Sequence, residues 1–199
     1  DEVFEMVLVL LEFCLDALLP GDVLDTPSGP LVLVRALRLG GTGAGLSIYY
    51  LEAVRGDRDA KPATEKPSSS WVLAVSLGGL SSSEGSPWLL TDAASPSLPI
   101  KDLSVDTAPS ELYHQGLRHR LSGTLRGRAR IESLHASSEQ TVQLVSYSGP
   151  GGSRLLLISG AVTDGGRVEF FAGSVIVEGS LRIIQGKGPA QAQESRPAR

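Results

Sequence analysis

Two carboxylates, Glu12 and Asp16, stand one helical turn apart inside the apolar run LLEFCLDALL (10–19). With Asp1 and Glu5 they fall at spacings of 4, 7 and 4, which places them on one narrow stripe of a helix covered elsewhere, Glu2 apart, mostly by Val, Leu, Phe and Met. Such a stripe faces either solvent or a polar cavity, and only the second setting gives the acids chemistry to do. Asp57 and Asp59 form a second acidic pair, in RGDRDA (55–60). Five arginines, Arg118, Arg120, Arg126, Arg128 and Arg130, crowd a short stretch with Gly123 and Gly127. A charge run of this kind is most often a solvated face, and the sharper reading is contact with DNA phosphate or an acidic partner. The three histidines, His114, His119 and His135, show no metal-ligand spacing and no partnered nucleophile and acid in the sequence. Cys14 is alone, so the chain makes no internal disulfide, and we expect a small buried apolar residue in a reducing intracellular compartment.

The elements that must position these groups follow from the hydrophobic pattern. Residues 2–19 contain no Gly or Pro and end at Pro20-Gly21, which predicts a long buried helix. The run lacks a basic leader and is interrupted by acids, so it reads neither as a signal peptide nor as a membrane span. LVLVRALRL and LSIYYLEAV flank GGTGAG and predict a β-hairpin. That glycine loop lacks the Lys-Ser/Thr ending of a phosphate-binding loop, and a turn between matched strands is its simpler role. WVLAVSLGGL (71–80) predicts a strand between two long loops, 55–70 and 81–110, the second dense in Ser and Pro. Ser110-Glu111 and Arg128 to Ala136 predict short helices. TVQLVSYS, SRLLLISGAV, GRVEFFAGSVIVEG and SLRIIQG then predict an antiparallel meander. Residues 187–199 read as a polar tail, leaving one domain over 1–186. The expected fold class is therefore α+β, with helices packed on one face of a mixed, largely antiparallel sheet.

The chain has 199 residues, 41% of them hydrophobic, with mean hydropathy near zero and a net charge of −4. This is a globular composition, and the net charge argues against non-specific binding to nucleic acid or anionic membrane by the chain as a whole. It opens at Asp1 without a methionine, which leads us to expect a piece of something longer.

The helix sequence LEFCLDA resembles the first motif of the GHKL ATPases, the group of gyrase and the histidine kinases, in which a Glu is followed by an Asn and then by Asp-Ala. Glu12, Asp16 and Ala17 match it, and Phe13 stands where the family has its asparagine. The order of helix, loop, strand, turn and strand is similar too, most closely to the topoisomerase VI B-like branch. RGDRDA takes the place of the second motif, and SGTLRGRARIESLHAS (122–137) looks like an eroded third one. The resemblance implies a GHKL-like two-layer sandwich with a relic nucleotide pocket at Glu12, Phe13, Asp16, Asp57, Asp59, Gly123 and Gly127. In an active relative the Glu is the general base and the Asn holds Mg²⁺; a phenyl ring offers no such oxygen ligand. Loss of ATP and Mg²⁺ binding is therefore expected, with no cofactor. By resemblance, the chain would be a non-catalytic interaction subunit of a nuclear, topoisomerase VI-like complex that forms meiotic DNA double-strand breaks. Its partners would be the A-like catalytic subunit and other break-forming proteins, with DNA reached through the complex and no membrane involved. Two alternatives stay open: a divergent active GHKL ATPase using Glu12 as base, and an unrelated β-rich binding module whose strand meander is a small barrel or sandwich.

Overall fold

The structure is a computed structural model that describes residues 18–40, 45–54, 71–77, 86–93, 107–160, 168–176 and 179–185. Eleven strands account for nearly all of it: β1 (Val23–Thr26), β2 (Gly29–Leu39), β3 (Gly45–Ala53), β4 (Trp71–Leu77), β5 (Trp88–Asp92), β6 (Glu111–His114), β7 (Leu117–Ser133), β8 (Ser137–Ser148), β9 (Ser153–Gly160), β10 (Glu169–Val175) and β11 (Arg182–Gln185). The expected hairpin is present, with Leu37 opposite Ile48 and Leu39 opposite Leu46 across β2 and β3. The C-terminal meander is present as well, in the antiparallel pairs β7–β8, β8–β9 and β9–β10.

The α+β sandwich is not. No α-helix occurs among the described residues; a 3₁₀ turn at Pro150–Gly152 links β8 to β9. The stretches read as short helices at Ser110-Glu111 and at 128–136 belong to β6, to the long strand β7 and to the β7–β8 connection. Between Leu125 and Ile131 the odd positions are partly or fully buried while Arg126, Arg128 and Arg130 are exposed, a period of two that only a strand satisfies. The Ser/Pro-rich stretch 81–110 also contains a strand that composition concealed, because β5 carries the buried Trp88 and Leu90. The predicted helix over 2–19 lies outside the described residues except for its last two, and Leu18 and Leu19 are irregular backbone.

Closure gives the sheet its form. The strands run in the order β2, β3, β4, β5, β10, β9, β8, β7, and β7 pairs back onto β2 from Arg35 opposite Ser133 to Leu39 opposite Ala129. Every pair is antiparallel, so these eight strands form a closed antiparallel barrel. An eight-stranded barrel has a lumen that side chains can just fill. Here each strand sends inward-facing apolar side chains to one cluster, among them Leu37, Ile48, Trp88, Leu144, Ile158 and Phe171. Burial of each large side chain in that lumen contributes roughly 1.5–3 kcal/mol. An apolar lumen with arginines on the outer wall reverses the pattern of a membrane-spanning barrel, which keeps its polar groups inside.

Two covers lie on the outer wall. The first half of β2 continues into β1, which pairs with β11, and these bury Leu24, Leu31 and Leu181 against the outward residues Tyr49, Leu51 and Leu73. On the other side β7 shifts its register on β8 between Leu121 and Gly123, and its first part also pairs with β6. That hairpin and the segment before it bury Leu112 and pack Ala108 against outward residues of β8 to β10, including Tyr147, Leu157 and Phe170. The Tyr147 hydroxyl donates to the Pro109 carbonyl at 2.9 Å, pinning the segment to the wall.

Candidate binding cleft on the outer wall

Between the two covers the outer wall of β5 and β10 is built of small residues. Thr91 and Ala172 sit opposite each other there, and the Thr91 hydroxyl donates to the Ala172 carbonyl at 3.3 Å. Gly173 follows, and a Cβ on it would lie 2.2 Å from the Leu89 carbonyl oxygen, so the strands approach as only glycine permits. These residues floor two adjoining cavities of about 410 and 610 Å³, which share Thr91, Ala172 and Gly173. The smaller runs under the β1 side and is walled by Trp71, Leu89, Val175 and Ile176. The larger runs under the tip of the β6–β7 hairpin and is walled by His114, His119, Ser153, Arg154 and Asp92. One end of the cleft is thus apolar and the other polar.

Hairpin geometry brings the histidines there. Gln115 and Gly116 form the turn with φ of 50° and 77°, the doubly positive pattern of a type I′ connection. The registry sets Leu112 opposite His119 and His114 opposite Leu117. Leu112 and His119 are 1% and 2% exposed, so this face is pressed against the barrel. His119 Nδ1 lies 3.1 Å from the Leu117 carbonyl, and its Nε2 lies 3.1 Å from Ser153 Oγ. Ser153 follows the turn at Pro150–Gly152, and Gly149 before that turn has no room for a side chain: a Cβ would sit 2.4 Å from Ser153 Oγ and 2.5 Å from His119 Cδ2. His114 packs edge-on to Phe170 at 5.3 Å, and its buried Nε2 makes no hydrogen bond within the described residues. Desolvation, reinforced by the neighbouring His119, lowers its pKa, so it enters the cleft neutral near pH 7. Arg154 stacks over the Trp88 ring at 5.5 Å and donates to the Ser153 carbonyl at 3.2 Å.

The residues singled out by sequence fall elsewhere. Glu12, Phe13, Asp16, Asp57 and Asp59 lie outside the described residues. Gly123 and Gly127 sit within β7, opposite Ser146 and Val142, in a strand rather than in a glycine loop at a helix start. The arginines are divided by the register shift in β7. Arg118 forms a two-pronged pair with Glu111, which lowers that carboxyl's pKa, and Arg120 lies 3.9 Å from the same acid. Arg130 and Arg38 share Glu132 at 2.9 and 3.1 Å. Arg126 and Arg128 face Gln143 and Thr141, exposed and with no ion pair among the described residues. Sequence reasoning saw no nucleophile beside a histidine, because residues 119, 149 and 153 meet only through the pairing of β7, β8 and β9. Among the described residues no group of three or more His, Cys, Asp or Glu comes together, so none of them makes a case for a metal centre. Compared with known proteins, the chain matches no family model, no curated protein and no solved structure.

Proposed function

We infer that the chain is a ligand-binding module of the β-rich kind, a rigid barrel that takes an elongated ligand in the cleft between its two outer covers. The observation that carries this reading is the pair of adjoining cavities sharing Thr91, Ala172 and Gly173, flanked on either side by the packed apolar side chains of the two covers. The lumen is filled by its own side chains, so a small molecule is taken outside it. Apolar walls at one end, with His114, His119 and Ser153 at the other, suit a ligand with an apolar body and one polar end. The expectation of a subunit in a break-forming complex came with the GHKL sandwich, and without that sandwich the geometry offers it no support.

Sodium octanoate is a direct probe. Titrated against the protein, it is expected to shift the methyl NMR signals of Thr91 and Ala172 saturably, and Ala172→Trp, which fills the floor, is expected to abolish the Thr91 shift. Absence of saturable shifts at these two residues, or a Thr91 shift that persists in Ala172→Trp, would overturn the reading.

A further inference from the structure

Ser153 and His119 form a donor–acceptor pair whose direction is fixed. The Leu117 carbonyl can only accept, so His119 Nδ1 carries the proton and Nε2 turns its lone pair toward Ser153 Oγ at 3.1 Å. This is the contact a serine nucleophile makes with its base, with a backbone carbonyl in the orienting role that a carboxylate fills elsewhere. The imidazole cannot swing away, since His119 is 2% exposed and packed against the bare Cα of Gly149. Ser153 is only part-buried, and both residues line the larger cavity. His114 lines the same cavity with a ring nitrogen that has no partner within the described residues.

The geometry points to Ser153 as an acylatable nucleophile with His119 as its general base, acting on esters whose apolar acyl chain lies in the cleft. This rests on the binding reading above and adds chemistry to it. In the first step Oγ bonds to the ester carbonyl carbon while its proton passes to His119 Nε2. The tetrahedral adduct then expels the alcohol, which takes that proton as the carbon–oxygen bond breaks. Water repeats the sequence on the acyl-serine, releasing the carboxylic acid and restoring both side chains.

The test treats the full chain with a fluorophosphonate, which forms an Oγ–phosphorus bond with loss of fluoride, and locates the adduct by mass spectrometry. Hydrolysis of p-nitrophenyl octanoate is followed in parallel. Modification at Ser153 is expected, with both reactions lost in Ser153→Ala and slowed about 10²-fold or more in His119→Gln. Circular dichroism and melting temperature establish that the variants are folded, and Ser153→Ala, which removes one oxygen, serves if His119→Gln does not fold. No adduct at Ser153 in a protein that still binds octanoate would overturn the nucleophile while leaving the cleft intact. Failure of octanoate binding together with labelling would overturn both. Equal labelling rates in wild type and a folded His119→Gln would overturn the assignment of the base.

Discussion

Replacing Gly149 by alanine is the sharpest probe of how the cleft's polar end is held. The backbone at Gly149 is extended, with φ of −125°, so alanine meets no conformational penalty there. By itself the change would stabilise the protein by about 0.4–1 kcal/mol through the unfolded chain. Against this, the new Cβ would stand 2.4 Å from Ser153 Oγ, 2.5 Å from His119 Cδ2 and 2.7 Å from His119 Nε2. The serine oxygen can rotate aside, but the imidazole is buried and must be displaced as a ring. Displacement forfeits its two hydrogen bonds, each worth about 1 kcal/mol, and leaves a buried polar group that costs about another 1–3 kcal/mol. The net expectation is a loss of about 2–4 kcal/mol, read as a lower urea midpoint at unchanged slope and a melting temperature lower by roughly 4–15 °C. A second substitution, His119→Ala, removes the clashing ring, so the double variant should be more stable than the sum of the two single effects implies. A neutral or stabilising Gly149→Ala would refute the argument, because it would mean that the ring is not held where the structure places it.

Other expectations concern the covers and the walls. Tyr147→Phe removes the bond to the Pro109 carbonyl and should cost about 1–2 kcal/mol, with faster amide exchange in the segment before β6 than elsewhere. Gly173→Ala would drive a Cβ to 2.2 Å from the backbone carbonyl of Leu89, which cannot rotate away; a loss above about 3 kcal/mol, or failure to fold, is expected in thermal melts. At high pH the two buried tyrosines set the sign. Desolvation pushes Tyr147 up to about 12 and, together with Glu169 beside it, raises Tyr50 well above the usual 10.0. Above pH 10 the unfolded chain sheds these protons first, so stability is whole below pH 10 and falls as pH rises toward the folded values. Urea titrations between pH 9 and 12 should show this decline, and the Tyr147→Phe background should flatten it; an unchanged slope there would contradict the assignment.

The parts of the fold legible in the sequence were those with a local cause. The β2–β3 hairpin announced itself by two matched runs around glycines, and the C-terminal meander by short apolar runs between Gly-rich turns. β7 was misread although its signal was present: Arg126, Arg128 and Arg130 alternate with Leu125, Gly127 and Ala129. The period of two was masked by helix-start chemistry at Ser110-Glu111 and by arginine, a good helix former, on the exposed face. Closure of the barrel was not legible, because the pairing of β2 with β7 joins residues such as Arg38 and Arg130 that no local pattern links. The cleft shares that origin. His119, Gly149 and Ser153 carry no motif, and their meeting is a property of strand registry rather than of spacing. The resemblance in LEFCLDA rested on a few residues of one element, and the strands that follow it build a different architecture.

The ring of strands divides in sequence order into two meanders, β1 to β5 and β6 to β10, joined at two seams where β5 meets β10 and β2 meets β7. Pairings within each meander are mostly local, whereas both seams join distant parts of the chain, as Trp88 with Val175 and Leu37 with Ile131. Loop-closure entropy makes such contacts the slow ones, so folding ends at the seams, on the millisecond-to-second scale of β-barrels. Until then each half presents the apolar side of its sheet, the future lumen, to solvent. A second chain at the same stage offers an identical complement, and exchange of halves between two molecules satisfies the same registers as closure within one. Concentrated refolding should therefore yield dimers built on the native pairings, their fraction falling with dilution.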